Sequence, residues 1–135
     1  MELILAKIDI SALIKAYNRL KEALFYSNAM DTSYPIELKK TAAIQCFEFV
    51  YELSWKMMKR VLYEKGIVVN SPKDSFREAF KESLIDDAEK WFKFQEFRNL
   101  TVHTYDEEIV EEIYAILPEF AKEVELFINN LEKFS

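Results

Sequence analysis

The sequence predicts an all-α bundle, and three observations carry that expectation. One glycine and three prolines leave little turn chemistry in 135 residues, and half of the residues are hydrophobic. Those hydrophobic residues recur at spacings of three and four along several long segments, the period of one helix face. A chain of this length falls in the usual size of one domain, able to bury about two thirds of its unfolded surface. One shared core spanning residues 1–135 is therefore expected.

The first helix is expected from about Ile10 to Asn28, where Leu13, Tyr17, Leu20 and Leu24 form an apolar stripe behind Asp9, a capping residue. Residues 29–35 read as a loop: Asp31, Thr32 and Ser33 favour local side-chain bonds, and Pro35 holds Tyr34 extended. The second helix, about Ile36 to Lys65, places Ile44, Phe47, Tyr51, Ser54, Met58 and Val61 on one side. Ala43, Val50, Leu53 and Met57 widen that face, so this helix is expected to be the central one. Its other side, with Glu48, Glu52, Lys56 and Lys59, reads as solvated surface, and Gly66 as its C-terminal stop.

Ser71-Pro72-Lys73-Asp74 combines a cap, a proline at the first helical position and an acid at the third, opening a short helix through Phe76, Ala79 and Phe80. A fourth helix is expected to start near Asp86-Asp87 and run through Trp91, Phe94 and Phe97. The last, about Glu107 to Lys133, carries two apolar stripes: Ile109, Ile113, Ile116, Phe120, Val124, Phe127 and Leu131, and beside them Val110, Tyr114, Leu117, Ala121 and Ile128. Two stripes imply burial against more than one neighbour, within the chain or across a homodimer interface. Pro118 is expected to kink or divide that helix.

Composition also narrows function. Phosphate-cradling loops need several glycines, and Gly66 stands alone. With one cysteine, Cys46, and one histidine, His103, one chain cannot assemble a zinc site or a disulfide framework. No metal or cofactor is expected, and the reducing cytoplasm is the expected compartment. Met1 to Lys7 lacks the basic start and apolar length of a secretion signal, and no membrane span is expected. A net charge of −6 disfavours the broad basic footprint of a DNA reader but leaves room for a nucleotide or a few phosphates.

Arg98, Asn99, His103 and Tyr105 put a fixed cation, an amide, a group titrating near neutrality and a phenol within eight residues. In a regular helix Asn99 and His103 would stack at i,i+4, with Arg98, Thr101 and Tyr105 on the adjacent face. Arg98 and His103 would be offset by roughly 7.5 Å and 140°, which loosening after Asn99 or pairing across a dimer would correct. The chemistry that fits is metal-independent RNA cleavage: imidazole takes the proton of a ribose 2′-hydroxyl while guanidinium stabilises charge on the phosphate. One histidine cannot be both acid and base in a concerted step, and a two-fold dimer would supply a second.

Blander roles stand beside these. Arg98 could pair with Glu96 or another acid, Asn99 could cap the helix end, and Tyr105 could be an amphipathic core residue. Trp55 and Trp91 at helical spacing read as core rather than as base-stacking platforms. Glu107, Glu108, Glu111 and Glu112 suit the positive end of a helix dipole better than a metal. Cys46 reads as an inert buried thiol, a nucleophile paired with His103 only if the fold brings the two together.

Arg98-Asn99-x3-His103-x-Tyr105 resembles the R-x4-6-H signature of HEPN domains, in the R-x4-H-x-Y form of HepT-like toxins. Phe47-Glu48-Phe49-x2-Glu52-Leu53-Ser54-Trp55-Lys56, Ser71-Pro72, and Arg98 through Glu107 resemble the nucleotidyltransferase substrate-binding branch. The resemblance runs from about Ala43 to the C-terminus. It implies an antiparallel four-helix bundle with an extra short helix, a homodimer or a heterotetramer, and a small nucleotidyltransferase encoded nearby. In the toxin branch it implies an endoribonuclease using Arg98 and His103, with the partner transferring AMP onto Tyr105. In the other branch it implies a non-catalytic subunit that binds nucleotide or substrate. The chain lacks the Gly-Ser followed by paired aspartates that marks such a transferase, since its one glycine, Gly66, precedes Ile67.

Overall fold

A computed structural model of the chain describes residues 8–28 and 35–133. The expected loop before Pro35, and the opening Met1 to Lys7, lie outside the described residues. There are five helices and no strand among the described residues: α1 (Ser11–Asn28), α2 (Ile36–Glu64), α3 (Pro72–Lys81), α4 (Ala88–Leu100) and α5 (Glu107–Lys133), with a 3-10 turn at Thr101–His103 between α4 and α5. This is the expected helical bundle with its extra short helix, α3.

The helix starts follow from capping chemistry. Asp9 Oδ1 accepts the Ser11 amide at 2.9 Å, so α1 opens one residue later than its stripe predicts. Ser71 Oγ accepts the Asp74 amide at 3.2 Å with Pro72 at the first helical position, and Asp87 Oδ1 accepts the Lys90 amide at 3.2 Å. Each supplies an acceptor to an amide that has no partner inside its helix. Gly66 stops α2 at a φ of +84°, a conformation that costs a side-chain-bearing residue more. Its amide donates to the Tyr63 carbonyl and that of Ile67 to the Leu62 carbonyl, closing the last turn.

Helix α2 packs against α1, α3, α4 and α5, which makes it the central helix that its wide apolar face predicts. At the heart lies an aromatic cluster in which Phe120 meets Phe47 edge-on at 4.7 Å and Phe94 at 5.1 Å, with Trp91 at 5.8 Å. Edge-to-face pairs at such separations add to simple area burial.

Helix α5 packs on α1, α2, α4 and the 3-10 turn. Residues of both its stripes are buried in this way, Ile113, Ile116, Phe120 and Val124 from one, Leu117 and Ile128 from the other. The double stripe is therefore used within the chain and is no argument for a dimer. Pro118 does not divide α5, which continues unbroken to Lys133. Glu123, buried in α5, carries a charge that the stripes do not announce, and Lys90 at 3.5 Å answers it.

Candidate functional site

The site residues lie where α4 turns into α5. Helix α4 is held to the core by Trp91 and Phe94, and its α-helical winding ends at Leu100. The tighter turn that follows breaks the regular i,i+4 register expected for Asn99 and His103. Contacts of this segment form two sets, one around Arg98 and one between His103 and Tyr105.

The first set surrounds Arg98. Its Nη1 donates to Thr101 Oγ1 at 2.8 Å, and the same hydroxyl donates to the Arg98 carbonyl at 2.7 Å. Thr101, at 6% exposed, thus latches the guanidinium onto the backbone of its own helix end. Glu52 Oε1 on α2 lies 3.7 Å from Arg98 Nε, an ion pair rather than a hydrogen bond, and Nε itself has no hydrogen-bond partner. The acid that sequence offers Arg98 is therefore not Glu96 but another, reached across the bundle. Both side chains are partly open to solvent, so the ion pair contributes about 0–1 kcal/mol and the Thr101 latch matters more for position.

Glu52 also accepts from Trp55 Nε1 at 3.1 Å. Behind them the Tyr51 hydroxyl is buried without a hydrogen-bond partner. Burial pushes that phenol well above its ordinary range, Glu52 adds to the shift and Arg98 opposes it.

The second set is His103 and Tyr105. Imidazole Nδ1 and the Tyr105 hydroxyl are 3.0 Å apart, and the rings meet edge to face at 5.6 Å. Both residues are exposed, Tyr105 to 81%, which overturns its alternative place in the core. Val102 beside them is exposed to 69%. Asn99 is exposed in the last turn of α4, and the helix is capped two residues later at Thr101, so Asn99 is not the cap.

Glu52 was missed as a site residue because its sequence context is that of solvated surface, 46 positions before Arg98. Its membership of the Phe47–Lys56 resemblance is the signal that could have found it. Cys46 is half-buried, its thiol raised chiefly by burial, with Arg19 and Glu22 of α1 as its charged neighbours rather than His103. Glu111 of the acidic run pairs with Lys40. Among the described residues no group of three His, Cys, Asp or Glu is placed to hold a metal ion, and no helix is long and apolar enough to cross a membrane.

The family model for nucleotidyltransferase substrate binding protein like proteins matches residues 8–133. The chain belongs to this family. A relative from Haemophilus influenzae, strain Rd, described as a probable ribonuclease HepT, is 43% identical over 96 residues, 67% of this chain and 66% of that protein. The chain thus matches just under two thirds of that relative's length. A solved Haemophilus influenzae structure, described as the fold of a substrate binding domain of a nucleotidyltransferase, superposes with a TM-score of 0.85 at 34% identity, covering 92% of this chain and 99% of the other. A crystal structure from Thermus thermophilus gives a TM-score of 0.77 at 33% identity, covering 88% and 98% respectively.

Proposed function

We propose that this chain is a metal-independent endoribonuclease toxin of a two-gene system, neutralised by a small nucleotidyltransferase encoded beside it. The observation that carries the reading is the exposed His103–Tyr105 pair, five residues beyond a guanidinium held by Thr101. When His103 Nδ1–H donates to the Tyr105 hydroxyl, Nε2 keeps a free lone pair. Nε2 takes the proton of the ribose 2′-hydroxyl, the 2′ oxygen attacks phosphorus, and the bond from phosphorus to the 5′ oxygen breaks. Arg98 stabilises charge on the phosphate as it becomes crowded. The 5′ oxygen leaves with a proton from a second acid, which His103 of a two-fold-related copy supplies. Asn99, exposed on the same helix turn, binds the strand beside Arg98.

Tyr105 fits a modification switch. Its oxygen would attack the α-phosphorus of ATP and expel pyrophosphate, placing an anionic AMP group against His103 Nδ1. That product occupies the side of the imidazole that the hydroxyl holds at 3.0 Å and repels an RNA phosphate.

Incubation of purified protein with RNA under chelator tests the nuclease. Cleavage is expected from the wild type and lost in His103→Ala, and equal cleavage by both rejects the reading.

A second reading, a non-catalytic subunit that presents nucleotide or substrate to the transferase, is favoured by the −6 net charge and by the description of the Haemophilus structure. Retained biological activity in His103→Ala, together with co-purification of the neighbouring gene's product, would favour it over cleavage.

A further inference from the structure

Three cations on one face of α2, Lys56, Lys59 and Arg60, line a cavity of about 240 Å³ together with Tyr63, Val68 and Val69. Offsets of three, four and seven residues put the cations and Tyr63 in one row of the helix. The opposite wall is made by the Gly66 turn, which brings the chain back and sinks Val69 into the core, where it is 4% exposed.

Folding does not account for the rest of this lining. Tyr63 is 64% and Val68 70% exposed, so neither is there to fill the core. Lys59 makes no ion pair among the described residues, and the Arg60–Glu64 and Lys56–Glu52 pairs, at 3.2 and 4.0 Å, are exposed i,i+4 contacts of small energy. Concentrated cations around an open aromatic ring, on a chain whose net charge is −6, complement a polyanion with flat apolar groups. That is the chemistry by which proteins hold single-stranded nucleic acid: phosphates against cations, bases against aromatic faces. Sites that engulf a whole small molecule run to roughly 300–1,000 Å³, so this smaller cavity suits one base of a strand that continues outside it.

The cavity also adjoins the site. Glu52 lies 3.7 Å from Arg98 Nε and 4.0 Å from Lys56 Nζ, so one carboxylate connects Arg98 to the cation row. We infer that the cavity is a nucleotide subsite for single-stranded RNA running from Arg98: Lys59 and Arg60 hold a phosphate, and Tyr63 and Val68 receive its base. The identity of the strand as RNA rests on the proposed nuclease reading; its binding is measured apart from cleavage.

The test uses the full chain carrying His103→Ala as parent, with a fluorescent single-stranded RNA under chelator and anisotropy as readout. A Lys59→Ala/Arg60→Ala variant is expected to bind at least about tenfold more weakly, with a salt slope shallower by roughly 0.7 for each phosphate that is no longer neutralised. Tyr63→Leu is expected to lose at least about fivefold, the lower end of one base–aromatic stack. Melting temperatures are expected to stay at the parental value, since all three side chains are exposed. Binding within about twofold of the parent in both variants would overturn the inference, as would a polyglutamate peptide that binds the parent as tightly as RNA does. RNA held by the parent and released by the cavity variants supports the subsite even where the wild type leaves RNA uncut, a result that rejects cleavage alone.

Discussion

Replacing Thr101 with valine removes one hydroxyl while keeping the β-branched shape, and that hydroxyl makes both bonds of the Arg98 latch. The bond to the Arg98 carbonyl, at 2.7 Å, contributes about 0.5–1.5 kcal/mol. The charged bond from Nη1 would exceed that in a sealed interior, but the Arg98 side chain is 28% exposed and can rebond to water, so about 1 kcal/mol is appropriate. The sum is about 2 kcal/mol, a fall in melting temperature of roughly 6–8 °C for a chain of this size. Thermal unfolding by circular dichroism measures it, and single-turnover RNA cleavage on the same sample measures the second consequence. With its latch gone the guanidinium samples several rotamers, and under the proposed nuclease reading cleavage is expected to fall about tenfold or more, towards the roughly 10²–10³ cost of removing a charge-stabilising donor outright. A melting temperature within about 1 °C of wild type would refute the latch. A lower melting temperature with undiminished cleavage would refute its link to the site.

Three further outcomes follow from the same geometry. Phe120→Ala should cost about 3–5 kcal/mol in denaturant unfolding, because three rings lose the partner they meet edge-on and a cavity opens between them. Glu52→Gln should strengthen RNA binding severalfold at low salt and less at high salt, because it takes a negative charge away from Arg98 and Lys56 without changing volume; titration at two ionic strengths measures this. The Tyr17 phenol is pushed up to about 12, first by burial and then by its hydrogen bond to Glu125. A pKa raised in the folded state leaves stability intact below the unfolded value near 10 and erodes it as the unfolded phenol ionises, so stability should drop between about pH 10 and 12. Tyr17→Phe should remove that part of the drop in alkaline unfolding curves.

The fold was largely readable because its signals are local. Ser71 and Asp87 cap through neighbours three residues away, Gly66 turns within its own helix end, and the stripes of α2 and α5 repeat at the helical period. Pro118 does not divide α5, because an exposed proline loses one amide bond while the apolar residues around it still pack on α1, α2 and α4. For the site, the types and order of Arg98, Asn99, His103 and Tyr105 were legible, but their grouping was not. That depended on where α-helical winding gives way after Leu100, and on Glu52, which reaches Arg98 only once α2 and α4 are packed. No pattern within eight residues can encode a contact between two helices.

The exposure of His103, Tyr105 and Asn99 separates chemistry from stability. Substitutions at these three positions leave the aromatic core intact, so a lineage can lose, alter or regain the reaction proposed at His103 while the bundle continues to fold. Arg98 differs, since its latch to Thr101 ties it to the helix end. A relative that has abandoned catalysis is therefore expected to keep the arginine and threonine longer than the histidine.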